Sequence, residues 1–123
     1  MHTMPDRPLV ILTEYLDDEA IAWLSERVEL QQCPTDDPGF QSLLERAEGL
    51  VIRTYTKVDQ QFLDKAPLLK VVGRAGVGLD NVDLEACAKR GIEVVNTPDA
   101  NTQAVVEYVT SIISGILRPR TRL

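Results

Sequence analysis

Two arginines that follow short apolar runs are the residues best suited to chemistry in this chain. Arg53 comes directly after the run at 49–52, and Arg74 opens a glycine-rich run that continues to Gly78. A guanidinium group presents a planar fork of donors that matches a carboxylate or a phosphate. Glycines let the backbone approach a ligand closely, so the amides of residues 75–78 can add further donors. This pattern predicts a site for a small anion.

Two ordinary explanations stand beside that prediction. Arg53 could pair with a neighbouring carboxylate, and the glycines of residues 73–78 could serve a turn that needs positive φ. The occurrence of both arginines at the ends of apolar runs favours the anion site over these explanations.

Most other catalytic chemistries lack suitable residues. The only histidine is His2, near the amino terminus, so neither a general base nor a nucleophile–histidine pair can be built around it. Cys33 and Cys87 do not form a Cys-x-x-Cys pair, and we expect two reduced thiols, as in a cytoplasmic protein. The sequence also offers no metal-ligand spacing, so we predict no metal site.

The glycine-rich run resembles a dinucleotide-binding fingerprint but does not match it. The fingerprint is Gly-x-Gly-x-x-Gly, and counting from Gly76 its third glycine would fall at Asn81. No acidic residue for a ribose follows the next apolar run, which ends at Val95. Arg53 also stands where a phosphate-accepting receiver domain would carry an aspartate. We therefore expect no cofactor to be bound by this chain alone.

Charge and hydropathy exclude two classes of partner. The formal net charge is −6, which makes nucleic acid an improbable partner. The longest nearly apolar run, residues 109–117, is far shorter than the ~20 residues of a transmembrane helix. Residues 1–8 are polar and do not predict a signal peptide.

The order of the elements predicts how the arginines are positioned. Apolar runs at 9–12, 49–52, 69–73 and 92–95, with a weaker strand at 28–32, alternate with helical patterns. This order predicts an α/β fold: a flavodoxin-like, doubly wound, five-stranded parallel sheet of order 2-1-3-4-5. Ligands of such sheets bind beyond the carboxyl ends of the strands, where both arginines lie.

Three segments also carry a family resemblance. Residues 50–58, 69–83 and 91–107 closely resemble the D-isomer-specific 2-hydroxyacid dehydrogenases, and within them the phosphoglycerate dehydrogenase branch. The resemblance implies an NAD-dependent oxidoreductase with a flavodoxin-like substrate-binding domain and an inserted Rossmann domain. It implies a substrate-binding domain at 1–100, an interdomain helix at 101–118 and a tail at 119–123, with the Rossmann cofactor domain absent.

The resemblance assigns roles to individual residues. Arg53, Thr54 and Arg74 would contact the acidic groups of the substrate, and the amides of Ala75 and Gly76 would hold its carboxylate. These assignments agree with the anion site that the residue types predict.

Three further positions would face the cofactor side of the cleft. Val77 aligns with a position that touches the nicotinamide, and Asn101 and Thr102 match a helix start that faces the cleft. The family's cofactor fingerprint and its catalytic Arg, Glu and His have no counterpart in these residues. We therefore expect the chain to be catalytically incomplete and to bind a small anionic substrate weakly.

The final helix supports a second hypothesis. Its residues are apolar on more than one face, from Ala104 to Leu117, and Pro119 should end it. An uncovered apolar face is typical of an association surface, so we predict a homodimer through the helix at 101–118. The helix could instead fold onto its own sheet. The alternative function is a non-catalytic module that self-associates or binds a partner.

Overall fold

The computed structural model describes residues 7–76, 78–96 and 102–115, along which strands and helices alternate. The strands are β1 (Leu9–Leu12), β2 (Glu29–Gln32), β3 (Gly49–Ile52), β4 (Val71–Arg74) and β5 (Glu93–Asn96). The helices are α1 (Asp18–Ser25), α2 (Phe40–Leu44), α3 (Gln60–Asp64), α4 (Leu84–Lys89) and α5 (Thr102–Ser114).

The five strands form one parallel sheet in the order β2-β1-β3-β4-β5. This confirms the predicted α/β fold. Strands β1 and β3 are buried at every position, as expected for a sheet covered on both faces. In the β3–β4 pair, Ile52 lies opposite Arg74, so the two arginine-bearing strands end at the same edge.

Aspartates begin three of the helices. The side chains of Asp17, Asp59 and Asp83 each accept a hydrogen bond from an amide in the first turn of α1, α3 and α4. These bonds satisfy donors that have no partner within the helix. Gly91, with a φ of 71°, follows the end of α4.

Each face of the sheet has its own hydrophobic core. Alternate residues of a strand point to opposite faces, so Leu9 and Ile11 join one core while Val10 and Leu12 join the other. Helices α2, α3 and α4 supply side chains to the first core, and helices α1 and α5 to the second. The free thiols of Cys33 and Cys87 are buried, and burial raises the pKa of both.

Two strands begin later than the sequence suggests. Leu69 closes the turn after α3, where its amide bonds to the carbonyl of Ala66 at 3.2 Å, and β4 starts at Val71. The amide of Ile92 bonds to the carbonyl of Cys87 at 2.9 Å, which closes the end of α4. Strand β5 therefore starts at Glu93.

Helix α5, within the predicted span of 101–118, runs from Thr102 to Ser114. Helix α5 ends at Ser114 because Gly115 takes a φ of 78°, which a continuing helix cannot accommodate. Residues 101 and 116–118 and Pro119 lie outside the described residues. The helix buries one face on its own sheet through Val105, Val106, Val109 and Ile113. The homodimer through this helix stays a prediction.

Candidate anion-binding site

The carboxyl edge of β1 and β3 carries a cleft. It has a volume of about 380 Å³ and is lined by Glu14, Tyr15, Arg53, Thr54 and Tyr55. The first two residues follow β1, and the other three follow β3. Arg53 and Thr54 therefore lie in one cleft, whereas Arg74 is not among the residues that line it.

Glu14 is the central acceptor of this cleft. Its carboxylate accepts hydrogen bonds from the backbone amides of Arg53, Thr54, Tyr55 and Thr56, at 2.9 to 3.0 Å. Four successive amides of one loop therefore converge on a single side chain that lies about forty residues earlier in the sequence. The amides of a loop folded in this way form a natural nest for an anion.

The surroundings of Glu14 favour its charged form. Burial of the carboxyl group raises its pKa, but hydrogen bonds from the Tyr55 amide, the Thr56 side chain and the Arg53 and Thr56 amides together outweigh burial. The net result is a pKa below the usual value for glutamate. Beneath the carboxylate, the hydroxyl groups of Thr13 and Thr56 lie 2.6 Å apart in a buried hydrogen bond. The loop after β3 is thus bonded to the end of β1 at several points.

Arg53 is exposed, and its guanidinium bonds to the main chain. Its Nη1 donates to the carbonyl oxygen of Tyr15 at 3.3 Å. Within the described residues it forms no ion pair with a carboxylate, so the first ordinary explanation for this arginine is not what the structure shows. The guanidinium keeps donors available for a ligand in the cleft.

Asn81 connects the two arginines. Arg74 donates from Nε to Oδ1 of Asn81 at 3.0 Å. The side-chain amide of Asn81 donates in turn to the carbonyl oxygens of Arg53 and Thr56, at 2.9 and 2.7 Å. The glycine-rich run and the loop after β3 are therefore joined through one side chain.

Two glycines of the run, Gly73 and Gly76, have packing roles. Only Gly91 and Gly115 have positive φ among the described glycines, so positive φ does not explain Gly73, Gly76 or Gly78. A Cβ atom at Gly73 would lie 2.6 Å from Cγ2 of a valine on α5. A Cβ atom at Gly76 would collide with the guanidinium of the neighbouring arginine, which lies across the glycine. Gly73 thus makes room for a helix, and Gly76 for an arginine.

The predicted carboxylate donors already have partners within the protein. The amide of Ala75 bonds to the carbonyl of Ile52 at 2.9 Å and extends the β3–β4 ladder. The amide of Gly76 bonds to the carbonyl of Arg74 at 3.0 Å. A ligand carboxylate would have to share or replace these bonds, and the role of both amides stays a prediction.

The predicted cofactor-side residues are only partly described. Val77 and Asn101 lie outside the described residues. The hydroxyl group of Thr102 donates to Oδ1 of Asp17 at 2.7 Å, and this bond is the main reason why the pKa of Asp17 is lowered. Thr102 therefore joins the start of α5 to the start of α1 and is already engaged there.

The described residues contain no cluster of side chains suited to hold a metal ion. None of the helices they form combines the length and the apolar character that a transmembrane segment requires.

Sequence reasoning missed two residues of the site, Glu14 and Asn81. The position of Glu14 could have identified it, because Glu14 follows β1 at the sheet edge where the sequence also predicts both arginines. In the sequence, Asn81 stands out only as the residue that breaks the dinucleotide fingerprint. Its bonds to the loop after β3 join residues 25 and 28 positions apart.

Comparison with known proteins identifies the family of the chain. Residues 10–112 match the family described as "D-isomer specific 2-hydroxyacid dehydrogenase, catalytic domain". The chain is 39% identical over 116 residues to a D-3-phosphoglycerate dehydrogenase from Mycobacterium leprae, with 92% of this chain and 22% of that protein covered. One from Methanocaldococcus jannaschii is 39% identical over 111 residues, covering 89% and 21%. The chain spans about a fifth of the length of these relatives.

Solved structures show the same architecture. A protein from Pyrococcus horikoshii superimposes with a TM-score of 0.68 at 28% identity, covering 74% of this chain and 28% of that one. An NADPH-dependent glyoxylate/hydroxypyruvate reductase from Sinorhizobium meliloti, in complex with NADP and malonate, gives 0.62 at 29%, covering 76% and 29%. An NAD+-bound 3-phosphoglycerate dehydrogenase from Entamoeba histolytica shares the fold, with 0.61 at 23%, covering 74% and 33%. This chain belongs to the D-isomer specific 2-hydroxyacid dehydrogenase family.

Proposed function

We propose that this chain provides the substrate-binding part of an NAD-dependent D-2-hydroxyacid dehydrogenase that acts on a 3-phosphoglycerate-type substrate. The observation that carries the proposal is the pair of arginines at one sheet edge. Arg53 and Arg74 come from adjacent parallel strands, and Asn81 bonds to both residues. The curated relatives named D-3-phosphoglycerate dehydrogenase support a phosphorylated hydroxyacid as the substrate class.

The proposed chemistry of these residues is binding and orientation. Two guanidinium groups offer several charged donors, which suits a ligand with a carboxylate and a phosphate. The hydroxyl group of Thr54 lies in the same cleft as Arg53 and can bond to a hydroxyl or acidic group of the substrate. Fixing the substrate in this way is what an enzyme needs before a hydride can be transferred.

The described residues do not fit the pyrophosphate of a dinucleotide. Gly73 lies beneath valines of α5, and Gly76 lies beneath the guanidinium of Arg74, so side chains cover the backbone at these two glycines. The run also departs from the Gly-x-Gly-x-x-Gly fingerprint. We therefore assign NAD binding and hydride transfer to residues other than these, and we expect the chain alone to be inactive.

Calorimetric titration with 3-phosphoglycerate tests the proposal. We expect millimolar or tighter binding by the unmodified chain, and at least a roughly tenfold loss for Arg53→Ala and for Arg74→Ala, since each removes a charge-assisted contact. Arg46→Ala is the matched control, because Arg46 is exposed and precedes β3 at the opposite edge of the sheet.

Two results would contradict the proposal. No binding at millimolar 3-phosphoglycerate would favour the alternative of a non-catalytic module that self-associates or binds a partner. Oxidation of 3-phosphoglycerate with NAD by the 123-residue chain alone would refute its catalytic incompleteness.

A further inference from the structure

The loop that carries Arg53 is held by an internal anion. Its four amides from Arg53 to Thr56 all donate to the carboxylate of Glu14. The bonds from the Arg53, Thr54 and Tyr55 amides are exposed and the one from the Thr56 amide is part-buried, so the loop conformation depends on the carboxylate through four charge-assisted bonds to one side chain. The two oxygens of one carboxylate can accept four such bonds, which a carboxamide cannot, since half of its polar end is a donor.

The held loop sets the direction of the side chains in the cleft. The backbones of Arg53 and Thr54 are bonded to Glu14 on one side, and the carbonyl of Arg53 is bonded to Asn81 on the other. Tyr15, next to Glu14, accepts a hydrogen bond from the Arg53 guanidinium. The orientation of the arginine therefore depends on contacts from the end of β1.

We propose that Glu14 is a positioning residue of the anion site, whose carboxylate fixes the loop 53–56 so that Arg53 and Thr54 are presented to the bound substrate. The proposal rests on the proposed function of the cleft. Glu14 does not itself bind the substrate, because its oxygens are already engaged by the loop amides.

The direction in which anion affinity changes when Glu14 loses its charge distinguishes a positioning role from a purely electrostatic one. A carboxylate in the cleft repels an anionic ligand, so removal of its charge alone should tighten anion binding. A positioning role predicts the opposite, namely that Glu14→Gln weakens anion binding although it removes a negative charge. Glu19→Gln is the matched control, since it removes one charge from an exposed position on the first turn of α1.

The test uses the 123-residue chain and two measurements. In the first, hydrogen exchange followed by NMR reports on the amides of residues 53–56 without any ligand. We expect Glu14→Gln to accelerate their exchange by about tenfold or more, in line with the loss of a charge-assisted acceptor. Amides of the β3–β4 ladder should keep their rates, and Glu19→Gln should leave both sets unchanged.

In the second measurement, 3-phosphoglycerate is titrated into each variant. We expect Glu14→Gln to bind roughly tenfold more weakly than the unmodified chain, and Glu14→Asp, which keeps a carboxylate, to recover part of that loss. Equal or tighter binding by Glu14→Gln would overturn the proposal. Binding by Glu14→Asp that is no tighter than by Glu14→Gln would overturn it as well.

The two measurements separate the two hypotheses. If the unmodified chain does not bind 3-phosphoglycerate, the proposed function of the cleft fails, and the substrate-presenting role of Glu14 fails with it. The exchange rates then still decide whether Glu14 fixes the loop. Unchanged hydrogen exchange at residues 53–56 in Glu14→Gln would show that Glu14 does not fix the loop, whether or not 3-phosphoglycerate binds.

Discussion

At the scale of single residues, side chains hold the main chain of the cleft in place. Glu14 accepts from four loop amides, and Asn81 donates to two loop carbonyls while it accepts from Arg74. The loop after β3 is irregular, so its backbone groups lack the partners that a strand or helix would supply. The polar side chains supply those partners, and in doing so they orient the arginines.

Gly76→Ala tests the placement of Arg74. The new methyl group would occupy the space that the guanidinium of Arg74 now fills, and the arginine would have to move. Because the displaced atoms belong to the far end of a flexible side chain, we expect the free energy of unfolding to change by less than about 1 kcal/mol. Affinity for 3-phosphoglycerate should nevertheless fall several-fold, as measured by calorimetry.

Gly78→Ala is the control for this change, because a Cβ atom at Gly78 would meet no atom within 4 Å. It should leave both stability and affinity close to those of the unmodified chain. Full anion affinity in Gly76→Ala would show that the position of the Arg74 guanidinium does not matter for binding.

At the scale of elements, the close approach of α5 to β4 organises one face of the sheet. Val105 and Val109 of the helix pack directly over Gly73 of the strand. A residue with a side chain at this position would push the helix away from the sheet. The glycine that the sequence places next to an anion-binding run thus serves packing.

Gly73→Ala should therefore destabilise the fold. A Cβ atom would lie 2.6 and 2.8 Å from methyl groups of Val109 and Val105, too close for a packed core to absorb. We expect a loss of about 1–3 kcal/mol in the free energy of unfolding, measured by denaturant titration.

A double variant sharpens this test. Val109→Ala alone creates a cavity and costs stability, but in the Gly73→Ala background it removes the nearest clashing methyl group. The double variant should lose less stability than the sum of the two single losses. Additive losses would mean that the helix and the strand are not in contact at this position.

At the scale of the whole molecule, two acids link distant segments. Glu14 joins the end of β1 to the loop after β3, and Asp17 joins α1 to the start of α5. The pKa of Glu14 is lowered because hydrogen bonds outweigh the opposing effect of burial, and the pKa of Asp17 is lowered mainly by its bond from Thr102. Both groups thus favour the folded chain in their charged forms.

Stability should therefore depend on pH on the acidic side. A group whose pKa is lower in the folded than in the unfolded chain stabilises the fold above its unfolded pKa. This contribution is lost as the pH falls through the lowered folded pKa. We expect unfolding followed by circular dichroism to show this loss below about pH 4.5, near the ordinary pKa of a glutamate.

Glu14→Gln should make stability less dependent on pH in this range, whereas Glu19→Gln should leave the pH dependence unchanged. If stability falls with decreasing pH in the same way in Glu14→Gln and in the unmodified chain, then Glu14 has the same pKa in the folded and in the unfolded state.

The sequence was sufficient to predict the fold, because the fold follows from local patterns. Short apolar runs such as Leu9–Leu12 indicate buried strands, and aspartates such as Asp83 mark helix starts. The positions of Arg53 and Arg74 followed from the ends of those strands. The bonds of Glu14 did not, because they join a side chain to backbone amides 39 to 42 residues away, and no local pattern records such a contact.

The bond between Asp17 and Thr102 spans 85 positions of the chain and has a consequence for synthesis. Strands β1, β3 and β4 leave the ribosome before α5, which covers the face formed by Val10, Val51 and Val71. Until residues 102–114 have emerged, the nascent chain exposes that apolar face to water or to a chaperone. We expect slower translation across α5 to prolong this exposure and to favour aggregation.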